Sequence, residues 1–449
     1  MSSSQEVTKQ PLPNPHQGRA SAVPPSSGED GGGSSFGSDG AVFRFLTLFA
    51  AEEIPAAMVT YVALLMLLQL GLAPAVATLC SALLFVPWVL KSFMRPWVSR
   101  VGRFRQMLHL IEALLFACLL LLAFSFKQGP LAVFFALLMV SLLCAWHELA
   151  ARMYYEQMLS PSVQRLLTVP KHVCSQAAVI FTYGALIFLV GTLQVYFRQI
   201  RYSWAMGCYV AAGLFLFFAF LHLLTLASPA LSPMENEVEK RKATATWHSP
   251  TGSAWRGFFF LFLLLLPQAL MFHARVLYLY GPHEQGGLEC TMQEIGFAQG
   301  TVGVIAFSLG IAMGRLLIRR HTLHRLFWPM ALCVVLSPFV YLGMTIYPPH
   351  SLWMLCCCTM TAQLLFGLGI SICRLPVSAI SGTRYRNNIN MLQIPLVSAA
   401  MIVPMALSGW MVEQLGYNSY FLVNALSAPV CLLSIFLLWK ETPATSLRM

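Results

Sequence analysis

Apolar runs of about 20 residues recur along the chain and are separated by short polar loops. A helix of about 20 apolar residues can cross the ~30 Å hydrocarbon layer of a bilayer. Such runs lie near 43–70, 74–92, 106–126, 131–155, 172–196, 202–227, 256–280, 292–318, 326–346, 351–374, 388–412 and 418–440. The sequence therefore predicts an all-α polytopic membrane protein with twelve transmembrane helices in two six-helix halves.

The composition excludes an ordinary soluble protein. Hydrophobic residues make up 57% of the 449 residues, and charged residues only 10%. The net charge of +11 is concentrated in a few short loops, and no basic soluble module is present to bind nucleic acid. We therefore expect the lipid bilayer and a small-molecule substrate as partners, and no nucleic acid.

Polar stretches divide the chain into segments. Residues 1–42 are rich in Ser, Gly and Pro and are predicted to be a disordered N-terminal tail. The apolar run that begins near Phe43 is too long for a cleaved signal peptide, so it is predicted to be a retained span. The predicted units are an N-terminal half (43–227), a linker (228–255), a C-terminal half (256–440) and a short tail (441–449).

Basic residues cluster in the loops that follow even-numbered spans. The opposite loops contain little beyond Lys127, Arg198 and Arg201. Because basic loops are retained on the cytoplasmic side, both termini and the linker are predicted to be cytoplasmic, in an inner or plasma membrane. The basic positions that support this orientation are Arg95 to Arg105, Arg165, Lys171, Lys240 to Lys242, Arg315 to Arg325, Arg384 and Arg386.

The loop after span 2 reads Ser99-Arg100-Val101-Gly102-Arg103-Phe104-Arg105. It resembles the D-R-x-G-R-R loop of the major facilitator superfamily, with Ser99 at the aspartate position. The resemblance implies two halves that alternate access to a central site. It also implies a gating role for residues of this region, which are Lys91, Arg95, Arg100, Gly102, Arg103 and Arg105. The alternative is a plain basic loop that sets only the orientation.

Further segments resemble the AmpG-like, or muropeptide permease-like, branch of that superfamily. They are Phe49-Ala50-Ala51-Glu52-Glu53-Ile54-Pro55 in span 1, Val86-Pro87-Trp88-Val89-Leu90-Lys91 in span 2, and Gln293-Glu294-Ile295-Gly296-Phe297, Gly300-Thr301-Val302-Gly303, Ser408-Gly409-Trp410 and Gly416-Tyr417 in the second half. Span 4 departs from the branch pattern H-D-x-A-x-D-G, because it retains Glu148 and has Arg152 at the second acidic position. Glu53 replaces a glycine of the span 1 pattern.

Ionisable residues inside predicted spans are the candidates for proton coupling, because a charge in the membrane interior is costly and needs a partner or a wet cavity. Glu52 and Glu53 point about 100° apart on span 1, so at most one of them is expected to face the cavity squarely. The resemblance implies that this residue is Glu52, which occupies the acidic position of the span 1 pattern. Glu148, Arg152 and Glu156 share one face of span 4. A Glu52–Arg152 or Glu148–Arg152 pair is expected, either as a coupling element or as a static pair. His147 is a candidate proton relay or a hydrogen-bonded structural histidine.

Polar residues of the second half, with Glu53, are the candidates for substrate binding. Gln268 follows Pro267, a position where helix irregularity can line a cavity. His273 and Arg275 follow on span 7, and Arg275 is expected to extend toward water at the outer membrane surface. Gln299 and Gln393 are amides suited to sugar or peptide contacts, although amides also join membrane helices.

No motif of an enzyme is present: the sequence contains no Walker loop, nucleophile elbow or H-E-x-x-H pattern. The cysteines lie mostly in apolar runs without metal-ligand spacing, so no metal and no cofactor are expected.

The resulting hypothesis is a monomeric, proton-driven importer of a polar solute such as a muropeptide-like sugar-peptide. The alternatives are an exporter or exchanger of another small molecule, and a non-transporting receptor or scaffold.

Overall fold

A computed structural model describes residues 36–101, 103–159, 161–226, 252–321, 323–380 and 382–441. The predictions for the N-terminal tail before residue 36, the linker segment 227–251 and the tail after residue 441 lie outside these residues. The described chain is helical nearly throughout.

The first half contains six helices. Helix α1 begins at Phe36 and has its apolar span at Val42–Gln69, and α2 consists of two segments, Pro74–Leu83 and Val86–Val101. They are followed by α3 (Phe104–Ser125), α4 (Pro130–Met158), α5 (Thr168–Phe197) and α6 (Ile200–Thr225). Two features fix where α2 and α4 begin. Each helix has a proline at its first position, and a glycine with a positive φ angle, Gly71 or Gly129, lies just before it.

The second half repeats this arrangement with α7 (Gly252–Tyr280), α8 (Met292–Arg320), α9 (Leu323–Ile346) and α10 (Leu352–Ile380). A capping box between Thr291 and Glu294 starts α8. The helical stretch Gly382–Glu441 is interrupted at Gly416, where φ is 73° and ψ is 165°. This break divides it into α11 (382–415) and α12 (417–441).

The predicted spans agree closely with these helices. Within the described residues, ten helices are long and apolar enough to cross a membrane, and they correspond to the first ten predicted spans. The stretches α11 and α12 occupy the positions of the last two. The all-α membrane fold is confirmed, and the twelve-helix arrangement is consistent with it.

Helices α1 and α7 occupy the centre of the bundle. In their apolar spans, 72% and 78% of the residues are buried, against 33% for α6. The exposed apolar side chains of α3 and α6 form the lipid-facing surface that a bilayer requires, including Leu110, Leu121, Phe217 and Phe220. Residues on α1 and α7 are therefore placed to line a central site.

Three helices contain π-helical turns: α1 at Met58–Val62, α5 at Ile180–Ala185 and α8 at Gly296–Gly303. Such turns are rare and occur often at functional sites. The turns of α5 and α8 pack against each other across the seam between the halves. A Cβ atom on Gly296 would lie 2.8 Å from the carbonyl oxygen of Gly184, so the glycine allows the two backbones to meet.

We name the two ends of the bundle after the loops they carry, the α1–α2 face and the α2–α3 face. At the α1–α2 face, helices of the two halves are in direct contact. The amide of Ala75 on α2 donates to Oε1 of Glu413 on α11 at 2.8 Å, and a Cβ atom on Gly191 of α5 would lie 2.7 Å from Oε1 of Gln293 on α8. The structure is therefore closed at this face.

Candidate functional site

A buried ion pair joins α2 to α4. Lys91 Nζ contacts Oε1 of Glu148, and the indole Nε1 of Trp88 donates to Oε2 of the same carboxylate at 3.1 Å. The side chains of Lys91 and Glu148 are 8% and 21% exposed. A lysine inside a membrane protein needs a counter-charge, and Glu148 provides it. Lys91, predicted as part of the gating loop, is therefore a partner of a cavity carboxylate.

Arg152 does not form the predicted pair with Glu52 or Glu148. Its Nε donates to Oε1 of Glu156 at 3.0 Å, one turn further along α4. Both side chains are more than one third exposed, which is typical of an i, i+4 pair near a helix end. The prediction was wrong because Lys91, from a different helix, neutralises Glu148.

Glu52 and Glu53 lie on α1 beside this pair. Each carboxylate is within electrostatic range of Glu148 and Lys171, and the Ser175 side chain of α5 hydrogen bonds to Glu53. The sequence favoured Glu52 alone as the cavity residue. In the structure both glutamates belong to one charged cluster, because α5 approaches the side of α1 on which Glu53 lies. We call this cluster, formed by Glu52, Glu53, Lys91, Glu148 and Lys171, the charged chamber.

Lys171 was assigned by the sequence to a cytoplasmic loop. Helix α5 begins at Thr168, so Lys171 lies in its first turn. The Lys171 Nζ atom is 3.8 Å from the ring centroid of Phe49 and 5.6 Å from that of Tyr155. These cation–π contacts hold the ammonium group beside α1, close to Glu52 and Glu53.

His147 contacts a different carboxylate. Its Nε2 lies 3.5 Å from Oε1 of Glu112 on α3. Nδ1 of His222 on α6 lies 2.6 Å from the same oxygen, and Nδ1 of His109 lies 3.6 Å from Oε2. Glu112, His109 and His222 were not predicted. The sequence did contain a signal for two of these residues. Glu112 and His222 are ionisable residues within the apolar runs of spans 3 and 6, and such residues are often functional.

Aromatic rings line the seam on the other side of the chamber. Tyr61 of α1 stacks on Tyr183 of α5, with ring centroids 5.1 Å apart and an interplanar angle of 22°. Phe272 of α7 is 5.8 Å from Tyr61 and 5.9 Å from Phe85 of α2. We call Tyr61, Phe85, Tyr183 and Phe272 the aromatic wall. Because it combines residues of both halves, any relative movement of the halves alters it.

Arg275 lies against this wall. Its guanidinium carbon is 5.0 Å from the Phe272 ring centroid, and its charge acts on Tyr61 and Tyr183. Among the described residues, Nε of Arg275 is buried without a hydrogen-bond partner, and no ion pair includes this side chain. The guanidinium group therefore lies over Phe272 at the seam, and the extension of this half-buried side chain toward water stays a prediction.

Three further substrate-binding candidates of the second half, Gln268, His273 and Gln299, are buried. Gln299 Nε2 donates to Tyr341 Oη at 3.1 Å and lies 3.4 Å from Thr359 Oγ1, which joins α8 to α9 and α10. His273 Nε2 is 3.2 Å from Ser81 Oγ, and its Nδ1 is 3.3 Å from the Met405 carbonyl oxygen. Gln268 is 7% exposed, and its Nε2 has no hydrogen-bond partner within the described part of the chain. His273 thus joins α7 to α2 and α11 across the seam.

Several predicted residues receive no structural description. The side chains of Arg95, Arg100 and Gln393, and residue Gly102 as a whole, lie outside the described residues. Arg103 is exposed immediately before α3, and Arg105 is half-buried in its first turn.

In the part of the chain that is described, no group of three or more His, Cys, Asp or Glu side chains has an arrangement suited to a metal ion.

Solved structures of transporters share this architecture. The nucleoside transporter NupG superposes with a TM-score of 0.67 at 14% identity, covering 90% of this chain and 99% of that one. A bacterial homolog of the human lysosomal transporter Spinster, inward-facing and occupied, gives 0.69 at 12% identity, with 91% and 98% covered. A D-xylose-proton symporter gives 0.62 at 14% identity, with 90% and 97% covered.

The comparisons of sequence give a different result. No protein-family profile and no curated protein matches the chain. At identities of 12% to 14%, the structural similarity shows the fold alone, which is that of major facilitator transporters. These structural neighbours are transporters and not enzymes.

Proposed function

We propose that this protein is a secondary transporter that moves a polar solute across a membrane by alternating access of its two halves. The observation that carries the proposal is the charged chamber, in which three carboxylates and two ammonium groups meet beside the seam between the halves. Placing five charges inside a membrane protein is costly, and such groups commonly mark a substrate or ion pathway. The major facilitator fold supports the same conclusion.

The proton gradient is the proposed energy source. A carboxylate that changes its partners as the halves move can bind a proton in one state and release it in another. Glu52 and Glu148 are the proposed coupling residues, because Glu148 already has a cationic partner in Lys91 and Glu52 has none within 4 Å among the described residues. The proposed location is an inner or plasma membrane, with the α2–α3 face on the cytoplasmic side. The proposed direction of transport is uptake into the cytoplasm.

The proposed cargo is a polar molecule with an anionic group, such as a muropeptide-like sugar-peptide. Arg275 offers a cation at the seam, and Tyr183 offers a buried hydroxyl that has no hydrogen-bond partner in the described structure. The aromatic wall provides flat surfaces of the kind on which sugar rings and other planar groups pack. The AmpG-like motifs of the sequence favour the sugar-peptide within this class.

The test is uptake of labelled solutes into proteoliposomes with and without a pH gradient, using muropeptides, amino sugars, peptides and nucleosides. Accumulation of one class that requires an inward proton gradient supports the proposal. Uptake that the proton gradient leaves unchanged and that requires solute loaded inside the proteoliposomes indicates an exchanger. Binding without movement of any solute indicates a receptor or scaffold.

A further inference from the structure

A second group of titratable side chains lies apart from the charged chamber, between α3, α4 and α6. Glu112 stands at its centre and is 2% exposed, and His147 and His222 are 1% and 0% exposed. His109, one turn before Glu112 on α3, is 20% exposed. We call these four residues the Glu112 cluster. Each of the three helices contributes at least one member of the cluster.

The charges of the cluster favour the binding of one proton. With all three imidazoles neutral, the cluster has a charge of −1 in an apolar setting, which is costly. One added proton on an imidazole forms an imidazolium–carboxylate pair with no net charge. The 2.6 Å contact between His222 Nδ1 and Glu112 Oε1 is the length expected of a charge-assisted hydrogen bond.

The second nitrogen atoms of the buried imidazoles distinguish this cluster from a purely structural link. Among the described residues, His147 Nδ1 and His222 Nε2 are buried without a hydrogen-bond partner. A static cluster in a protein interior normally satisfies such atoms. Here they are free to gain or lose a proton, and His109, whose two ring nitrogens are also buried, is the most exposed member of the cluster.

The cluster is connected to the charged chamber through α4. His147 and Glu148 are consecutive residues, so one belongs to the cluster and the other to the chamber. A positive charge on His147 attracts the carboxylate of Glu52. Other charged groups on the surrounding helices include Arg44 of α1, which donates to the Thr225 carbonyl oxygen at the end of α6, Lys91 of α2 and Arg105 of α3. The Arg152–Glu156 pair of α4 and Arg201 of α6 lie nearer the ends of their helices.

We propose that the Glu112 cluster is a second proton-binding site, which acts on Glu52 through the charge of His147. In a transport cycle, a proton bound here forms an N–H bond on an imidazole, and the resulting charge helps the Glu52 carboxyl to release its own proton to water in the chamber. The role in the cycle rests on the proposed function. The binding of a proton does not.

The direct test is nuclear magnetic resonance of protein labelled with ¹⁵N at histidine, with signals assigned by the variants His109→Gln, His147→Gln and His222→Gln. We expect at least one cluster imidazole to change its protonation across the pH range in which the protein stays folded. In Glu112→Gln we expect that change to be lost, because the imidazolium no longer has its counter-ion. Cluster imidazoles that stay in one form throughout in the wild type would overturn the proposal.

The transport test separates a proton site from a structural link. We expect His147→Gln and His222→Gln to lose the gradient-driven part of uptake and to retain solute counterflow, which moves no net proton. His283→Gln, in the exposed α7–α8 loop, is the matched control and retains both. An equal fall in both activities, together with a lower unfolding temperature, would show a structural role instead. If the wild type moves no solute, the proposed function fails, while the resonance test still decides whether the cluster binds a proton.

Discussion

Lys91 on α2 and Glu148 on α4 form a buried ion pair, and Trp88 donates a hydrogen bond to the same carboxylate. The pair links two helices of the first half directly beside Glu52 and Glu53. Its burial means that neither charge is well solvated if the other is removed. The pair therefore has both a structural consequence and a functional one.

The structural consequence is strong coupling between the two residues. Lys91→Met or Glu148→Gln alone is expected to lower the free energy of unfolding by about 3 to 5 kcal/mol, because a buried charge remains unpaired. The double variant is expected to lose less than the sum, with a coupling energy of about 0.5 to 3 kcal/mol. Thermal and denaturant unfolding in the same detergent gives the free energy of unfolding of the wild type, the two single variants and the double variant. Additive losses would contradict the pairing.

Arg275 is expected to contribute to solute affinity. Loss of a charge-assisted hydrogen bond to an anionic group costs about 1.5 to 3 kcal/mol, which corresponds to a rise of about 10- to 100-fold in KM. Arg275→Met should show this rise, and Arg275→Lys a smaller one, in uptake assays at several solute concentrations. Arg201→Met, at an exposed position at the start of α6, is the control. An unchanged KM in Arg275→Met would exclude Arg275 from the binding site.

Closure at the α1–α2 face is expected to be reversible. Cysteines introduced at Ala75 and Glu413, in a background without the twelve native cysteines, place two thiols at this contact, where the Ala75 amide donates to Oε1 of Glu413 at 2.8 Å. Oxidation should block uptake, and a reducing agent should restore it, since the halves must part here for solute to enter. Uptake that continues fully with the disulfide formed would contradict alternating access at this seam.

The sequence predicted the helices well because their signal is local. An apolar run of sufficient length forms a membrane helix whatever its neighbours are, and prolines and glycines mark its ends, as at Pro74 and Pro130. The error at Lys171 has the same origin. The first turn of α5 is polar, so a hydropathy pattern places the start of the helix too late.

The side-chain pairs could not be predicted in the same way. Lys91 and Glu148 are 57 residues apart, and their contact depends on how α2 and α4 rotate and cross. The spacing within α4 correctly placed Arg152 near Glu156, but it could not reveal a partner for Glu148 on another helix. Glu112 and His222 were detectable as polar residues in apolar runs, but their association depends on the packing of α3 against α6.

The most direct test of the account is gradient-driven accumulation in proteoliposomes by the wild type and by Glu52→Gln, with Glu284→Gln on the exposed α7–α8 loop as the control. We predict that the wild type and the control accumulate a polar anionic solute only under an inward proton gradient. Glu52→Gln should lose this accumulation and keep counterflow, because its side chain cannot carry a proton. Accumulation by Glu52→Gln equal to that of the wild type would contradict the proposed coupling.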